Sequence, residues 1–91
     1  MYQVIASNQF GKDYKKCTKR NLPIELLDEI VLTISENKRL PANYRLHKLA
    51  GQYRNCWECH ILPDWLLIWQ VDERNKIIQL VRTGTHSDLF K

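Results

Sequence analysis

The chain has 91 residues, 44% of them hydrophobic and 26% charged, which is enough for one hydrophobic core and too short for two, so residues 1–91 are predicted to form a single domain. A net charge of +4 favours an anionic partner such as nucleic acid without identifying one. No run approaches the roughly 18 apolar residues of a membrane span and the N-terminus lacks a secretory signal pattern, so we expect no membrane association and a cytoplasmic protein with reduced cysteines.

The beginning of the chain predicts a strand and then a helix. The segment 1–6 is short, mainly apolar and contains β-branched residues, as is typical of a strand. From Ser7 onward, Phe10, Tyr14 and Cys17 recur at helical spacing and lie on one face of a helical wheel. The opposite arc carries four lysines: Lys12, Lys15, Lys16 and Lys19. Such a stripe is either an ordinary solvated helix face or a surface that meets phosphates or an acidic partner.

A second amphipathic helix is predicted from Pro23 to Asn37, because proline suits a first helical turn and one apolar stripe follows it. That stripe consists of Leu27, Ile30, Val31 and Ile34. Two consecutive helices with a short link should pair as a hairpin and cover one face of a sheet.

The remainder of the chain predicts strands separated by turn-forming residues. Their approximate ranges are 45–49, 53–61, 65–71 and 76–83. The run WLLIWQV is apolar at nearly every position, as expected for a central strand covered on both faces. Short connections favour antiparallel neighbours. The predicted fold class is therefore α+β: an N-terminal strand, a helical hairpin and an antiparallel β-meander, with the helices on one face of the sheet.

The string CWECH, which ends at His60, matches the CxxCH pattern that attaches a c-type haem. On a strand, Cys56, Glu58 and His60 share one face while Trp57 and Cys59 share the other, so the two sulfurs diverge. A haem site, a redox dithiol or a zinc knuckle needs sulfurs that converge. We therefore expect no cofactor, although a metal held by one cysteine and several histidines stays open.

The same alternation separates the roles within CWECH. Cys59 is interpreted as a core residue, where a reduced thiol behaves as a small hydrophobe. Cys56 is interpreted as a thiol with no assigned function. Glu58 and His60 are interpreted as an exposed carboxylate and imidazole, a pair suited to acid/base chemistry.

Proton carriers and cations recur near the predicted strand ends. The carriers are His47, His60, His86 and Asp64, and Arg45, Lys48, Arg54 and Arg82 are the nearby cations. Cleavage of an RNA strand needs a base for the 2′ hydroxyl, an acid for the leaving 5′ oxygen and a cation for the phosphorane. Taken alone, any one of these histidines is more often a surface residue than a catalyst, and an aspartate after proline often only forms a turn.

The succession HKLAG, ECHILPDWLLIW and RTGTHSDLF resembles, in order and spacing, the YafQ-type bacterial toxins of the RelE/ParE superfamily, and the resemblance covers essentially the whole chain. It implies a small RelE-like, microbial-ribonuclease-like fold with an antiparallel sheet and two helices on one side. It also implies the toxin of a type II toxin–antitoxin system, a metal-independent mRNA endonuclease that works in the ribosomal A site. The expected partners are a cognate antitoxin, mRNA and the ribosome, with operator DNA bound only through the antitoxin complex.

The resemblance also assigns site residues. Its catalytic positions fall on His47, His60, Asp64 and His86. His86 is the expected general acid at the 5′ oxygen, and the other three would activate the 2′ hydroxyl and orient or stabilise the phosphate. We predict substrate-binding roles for Arg54, Glu58, Trp65, Arg82, Phe90 and Lys48, with the two aromatic residues as candidates for stacking on a base.

One position departs from the resemblance, and two other hypotheses stay open. Relatives commonly carry an arginine where this chain has Trp57, so its job would fall to Arg54 or be lost. A non-enzymatic toxin of the same fold, of the gyrase-inhibitor type, would have no reason to gather three histidines and an aspartate in one patch. A metal or haem module built on CWECH would give a coloured or metal-containing protein.

Overall fold

The computed structural model describes residues 1–90. The chain starts with β1 (Gln3–Ala6) and continues into two helices, α1 (Asn8–Lys19) and α2 (Ile24–Ser35). The following elements are β2 (His47–Lys48), β3 (Trp57–Leu62), β4 (Trp65–Asp72), β5 (Ile77–Gly84) and a short helix α3 (His86–Leu89). Single turns of 3₁₀ helix, Ala42–Tyr44 and Gly51–Tyr53, flank β2. This succession confirms the predicted α+β class.

All five strands form one sheet in the order β1-β5-β4-β3-β2. The last four strands are an antiparallel meander, as predicted. β1 pairs in parallel with β5, Gln3 opposite Ile77 and Ala6 opposite Leu80, so the sheet as a whole is mixed. Because β1 and β2 lie at opposite edges, the two helices between them must carry the chain across the sheet.

Both predicted helices pack on the same face of the sheet. Ser7 caps α1, because its side-chain oxygen accepts a hydrogen bond from the backbone N–H of Phe10 at 3.0 Å. Phe10 and Cys17 of α1 join Leu27 and Ile30 of α2 in the main buried cluster. In residues 1–90 we find no helix with the length and apolar character needed to span a bilayer.

β4 is the central strand, and both of its faces are buried. Trp65, Leu67 and Trp69 belong to the cluster on the helix side. Leu66 and Ile68 belong to a smaller cluster on the opposite face. The apolar run WLLIWQV was therefore correctly interpreted, and replacing either leucine by alanine should cost about 2–5 kcal/mol of stability.

The predicted strand boundaries need correction around β2 and β3. The predicted strand 53–61 is wrong at its start, because Tyr53 ends a 3₁₀ turn and Asn55 has a φ of 69°, outside the range of a strand. β3 therefore begins at Trp57. β2 is shorter than predicted. Helix α3, which follows Gly84, was not predicted.

The side chains of CWECH alternate as expected, but two of them are less exposed than predicted, Glu58 and His60, and the His60 side chain is 16% exposed. Cys59 lies in the helix-side cluster and Cys56 in the cluster on the opposite face, so their sulfurs cannot share one haem or one metal ion. Burial raises the pKa of the Cys59 thiol to about 12, which keeps it protonated and unreactive. The interpretation of Glu58 as exposed is wrong, because only 4% of its surface is accessible.

Candidate active site

Three histidines from separate segments form a row. His47 lies in β2, His60 in β3, and His86 is the first residue of α3. The ring centroids of His47 and His60 are 6.2 Å apart, and those of His60 and His86 are 5.7 Å apart. The structure thus brings together the three histidines that the sequence singled out, with His60 in the middle.

His86 is held by Asp64, which lies in the turn between β3 and β4. The ring Nδ1 of His86 donates to Asp64 Oδ1 at 2.6 Å, and the backbone N–H of His86 donates to the same oxygen at 3.0 Å. These two hydrogen bonds, the backbone one first, lower the pKa of Asp64 below its ordinary value. Because Nδ1 carries the proton shared with the carboxylate, Nε2 of His86 is the nitrogen left to face a substrate.

Glu58 stands between the other two histidines. In the sheet register His47 is directly opposite Glu58, and His60 lies on the same strand face two residues along. Glu58 Oε1 is 3.1 Å from Nε2 of His47 and 3.7 Å from Nε2 of His60. Glu58 is thus a buried carboxylate beside two imidazoles, and not the exposed one that we predicted, while its predicted role in binding substrate stays a prediction.

The other nitrogens of these two rings face backbone oxygens. Nδ1 of His47 is 2.9 Å from the carbonyl oxygen of Arg45, and Nδ1 of His60 is 3.4 Å from that of Pro63. His47 therefore has a polar contact of 3.1 Å or less at each ring nitrogen, whereas the contacts of His60 are longer, at 3.4 and 3.7 Å. The ligand atoms of His47, Glu58 and His60 all lie within 4.8 Å of one another, which makes this group the place in residues 1–90 where a metal ion could be held.

Arg82 is not a free cation for substrate. Its Nε donates to Asp13 Oδ2 at 2.7 Å and its Nη2 to Asp13 Oδ1 at 3.1 Å. Its Nη1 also lies 3.4 Å from the hydroxyl of Tyr53. Asp13 is buried in α1, so this ion pair ties α1 to β5. The side chain of Arg82 is nevertheless 23% exposed, and its predicted role in binding substrate stays a prediction.

The two predicted stacking residues differ in exposure. Trp65 is 1% exposed and its indole N–H donates to Thr83 Oγ1 at 3.0 Å, so it cannot stack on a base. Phe90 is 43% exposed. Its ring packs edge-on against Tyr53 with centroids 5.4 Å apart and lies 6.4 Å from the ring of His86. Phe90 therefore stays a candidate for contact with a base.

The remaining predicted substrate ligands are exposed on the surface. Lys48 and Arg54 are both exposed. Lys48 follows His47 directly, and its Nζ lies 5.4 Å from the centre of the Trp57 ring. The tryptophan thus positions this cation over its ring.

Sequence reasoning missed the residues that hold α3. Thr85 and Asp88 form a capping box, in which the Thr85 side chain accepts from the backbone N–H of Asp88 and the Asp88 carboxylate accepts from that of Thr85. Arg20 at the end of α1 donates to both carboxylate oxygens of Asp88, at 2.7 and 3.2 Å. These contacts hold the pKa of Asp88 well below its ordinary value. The spacing of Thr85 and Asp88 is a known capping signal and could have predicted this helix.

Gly84 allows the close approach of α3 to β5. Its φ is 155°, and a Cβ at this position would lie 2.9 Å from Asp88 Oδ2. A larger residue would therefore displace the carboxylate that caps α3, and with it His86.

Comparison with known proteins identifies the family and the fold. A family described as a bacterial toxin of type II toxin–antitoxin system, YafQ, matches residues 2–91. The mRNA interferase toxin YafQ of Escherichia coli strain K12 is 36% identical over 85 residues, which cover 92% of this chain and 90% of that protein.

Two solved structures have the same fold over nearly the whole chain. A metal-bound toxin from Helicobacter pylori superposes with a TM-score of 0.93 at 34% identity, covering 99% of this chain and 100% of that one. A chain of the E. coli DinJ-YafQ complex superposes with a TM-score of 0.89 at 33% identity, covering all of both chains. The chain therefore belongs to the YafQ family of bacterial toxins of type II toxin–antitoxin systems.

Proposed function

We propose that the chain is an mRNA interferase, an endoribonuclease that cuts mRNA on the ribosome. The observation that carries this proposal is the row of three imidazoles, each held by a carboxylate, at one site of a small basic protein. The family match and the mRNA interferase named among the relatives support it. The reaction is attack of the 2′ hydroxyl on the adjacent phosphorus, with loss of the 5′ oxygen.

His86 is proposed as the general acid. Its side chain is 52% exposed, and Asp64 orients the ring through Nδ1, so Nε2–H is available to a leaving oxygen. A carboxylate at Nδ1 stabilises the imidazolium that the acid role requires, much as the aspartate does in a Ser-His-Asp triad. Protonation of the 5′ oxygen by a positioned side chain typically contributes a factor of about 10² to 10⁴.

The group of His47, Glu58 and His60 is proposed to activate the 2′ hydroxyl that attacks the phosphorus. Glu58 can share a proton with His47, whose Nε2 is 3.1 Å from Oε1, while Nε2 of His60 lies 3.7 Å from the same oxygen, close enough for attraction between charges. The group can therefore take the proton of the 2′ hydroxyl while an imidazolium stabilises the phosphorane. His60 lies between His47 and His86, so its ring is near both the proposed proton acceptors and the proposed acid.

Substrate is proposed to be held by side chains around this row. Phe90, exposed beside His86, would stack on a base of the cleaved strand. Lys48 and Arg54 would contact phosphates, and the lysine stripe of α1 offers a second basic surface for ribosomal RNA.

The partners are proposed from the family. A DinJ antitoxin is present with YafQ in the E. coli complex, and we propose that a cognate antitoxin likewise binds and neutralises this toxin. Operator DNA would be bound through that complex. A substrate of ribosome-bound mRNA places the action of this chain in the cytoplasm.

Translation on purified ribosomes with a defined mRNA tests the activity. New 5′ ends mapped by primer extension should appear with the wild type and be nearly lost with His86→Gln. Ser87→Ala is a matched control, because Ser87 is the exposed neighbour of His86 in α3. Absence of new ends with the wild type would reject the proposal and favour a non-enzymatic toxin, whereas undiminished cutting by His86→Gln would reject the role of His86.

A further inference from the structure

A cavity lies beside the middle histidine of the row, and the proposed reaction leaves it unused. Its volume is about 370 Å³, within the roughly 300–1,000 Å³ that ligand pockets occupy. The lining comes from the 3₁₀ turn before β2, from the end of β3 and from the turn after it. The lining residues are Asn43, Arg45, His60, Ile61, Leu62 and Pro63. Because His60 belongs to both the cavity and the row, a group bound in the cavity would contact the proposed reaction centre.

The direction of the RNA strand across the site decides which nucleotide meets this cavity. In the proposed reaction the 2′ hydroxyl belongs to the nucleotide on the 5′ side of the cut, and the leaving 5′ oxygen belongs to the nucleotide on the 3′ side. His86, the proposed acid at that oxygen, lies at one end of the row beside Phe90. The group proposed to activate the 2′ hydroxyl forms the other end. The nucleotide on the 5′ side of the cut therefore lies at the end of the row that is remote from Phe90.

Two lining residues connect the cavity to that remote end. His60 is itself a member of the group proposed to activate the 2′ hydroxyl. Arg45 has a φ of 51°, in the left-handed region that residues other than glycine seldom adopt, and its carbonyl oxygen is 2.9 Å from Nδ1 of His47. The described lining includes neither His86 nor Phe90. A ribose whose 2′ hydroxyl faces these imidazoles thus has its base beside the cavity.

The lining offers both kinds of contact by which proteins recognise bases of single-stranded RNA. Such bases are held by packing against their flat faces and by hydrogen bonds to their edges. Leu62 and Pro63 are exposed apolar side chains on which a face can pack. The guanidinium of Arg45 is a plane on which a base can stack. Asn43 carries an amide, which can donate to a base edge and accept from it.

The fold does not use the two polar side chains of the 3₁₀ turn. Within residues 1–90, the side chains of Asn43 and Arg45 take part in no hydrogen bond, and Arg45 forms no ion pair. Both residues are exposed. Their polar groups are therefore available to a ligand without loss of a contact that stabilises the protein.

We infer that this cavity binds the base of the nucleotide on the 5′ side of the cut and that Asn43 selects among the bases. The inference rests on the proposed nuclease function, because that reaction fixes the direction of the strand. The two bases that flank the cut then meet different surfaces, one the cavity and the other the ring of Phe90. A side chain that hydrogen-bonds a base edge discriminates, since the wrong base leaves donors and acceptors unpaired.

Cleavage of a randomised codon tests the selection. Ribosomes stopped with an empty A site receive an mRNA pool with every base at each position of that codon, and sequencing of the cut ends gives the bases that flank each cut. The wild type should prefer some bases on the 5′ side. Asn43→Ala should weaken that preference at least about fivefold, the lower end for one side-chain contact to a base edge. Its preference on the 3′ side should stay within about twofold of the wild type, because that base lies elsewhere.

Asn8→Ala is the matched control for this experiment. Asn8 is an exposed asparagine of α1 and lies outside the described lining of the cavity, so its replacement should keep the base preferences on both sides of the cut. The unfolding transition of each variant checks that it folds. An Asn43→Ala profile equal to that of the wild type, or a change confined to the 3′ side, would overturn the inference.

Binding of an RNA that cannot be cut tests the cavity without cleavage. A 2′-deoxy nucleotide on the 5′ side of the cutting position removes the attacking hydroxyl, and a second RNA also lacks the base of that nucleotide. In NMR titrations, the side-chain amide signal of Asn43 should shift with the first RNA and far less with the second. Equal shifts, including none with either RNA, would overturn the subsite. If the wild type cuts no mRNA, the proposed function fails, while this titration still decides whether the cavity takes a base.

Discussion

Two carboxylate–imidazole contacts in this toxin use the same groups in opposite surroundings. Asp64 and His86 meet at the surface, where their side chains are 66% and 52% exposed. Glu58 meets His47 and His60 with only 5% of its side chain exposed. Water can replace part of the first contact but little of the second. The comparison teaches that one site can keep its proposed acid open to substrate while the proposed proton acceptor stays shielded from water.

Replacing the carboxylate by an amide in each region measures this difference directly. Glu58→Gln should lower the cleavage rate by about 10² or more, because general base function and the charge between two imidazoles are lost together. Asp64→Asn should lower it only about tenfold, since the amide oxygen can still accept from His86 and water reaches the site. Single-turnover cleavage on ribosomes gives both values. Equal losses of cleavage rate in the two variants would show that the buried and the exposed carboxylate contribute alike.

Helix α3, which carries His86, is capped by Asp88. Asp88→Asn should reduce the free energy of unfolding by about 2 kcal/mol at pH 7, because hydrogen bonds to charged groups and helix caps each contribute about 1–2 kcal/mol. The pKa of Asp88 is lowered on folding, so this contribution is present above its ordinary pKa of 3.8 and is lost as pH falls through the lower folded value. Urea unfolding should therefore show the two proteins converging below pH 4. A difference that persists unchanged into strong acid would contradict the ionised cap.

The charge of Asp64 can be followed directly. Hydrogen bonds from His86, the backbone N–H first, lower its pKa, so the carboxylate is ionised above the ordinary value of 3.8 and loses its charge only as pH falls further. The carboxyl-carbon NMR signal of Asp64 should accordingly stay at its ionised position from about pH 8 to about pH 4 and move only in stronger acid. His86→Ala removes the side-chain hydrogen bond, so it should shift this transition to higher pH. A wild-type transition at or above the ordinary value, or one that His86→Ala leaves unchanged, would contradict the contact.

The smallest effect is expected from Phe90. Phe90→Leu keeps an apolar side chain but removes a flat ring, so the KM for mRNA should rise several-fold with a modest change in kcat, since stacking contributes about 1–3 kcal/mol per base. Leu32→Ala is a control for loss of another exposed apolar group. An unchanged KM for Phe90→Leu would leave Phe90 without a role in binding.

Local patterns in the sequence predicted the helices and strands, whereas the surroundings of the site residues depend on contacts between distant parts of the chain. Helical spacing identified α1 and α2, and the apolar run identified β4 as central. Strand alternation placed Glu58 with His60, but its burial depends on His47 in the neighbouring strand, which no local pattern shows. The family resemblance identified the three histidines and Asp64 as site residues, and in the structure these residues lie close together.

The availability of two predicted substrate ligands depends on contacts between distant parts of the chain. Arg82 looked like a free cation because its partner, Asp13, lies 69 positions earlier in the chain. Trp65 was predicted to stack on a base because the family resemblance places it at an aromatic position of the site, yet the helices cover the face of β4 on which it lies. In both cases, packing of α1 and α2 on the sheet decided the outcome.

Cleavage of an RNA with sulfur in place of the leaving 5′ oxygen tests most directly whether His86 is the general acid. A thiolate leaves without needing a proton, so His86→Ala should cut the sulfur-linked RNA within a few-fold of the wild type, while remaining about 10² to 10⁴ slower on normal RNA. Glu58→Gln should stay slow on both substrates, because its proposed role precedes departure of the leaving group. If His86→Ala is equally impaired on the two RNAs, His86 is not the acid and the assignment of the exposed region is wrong.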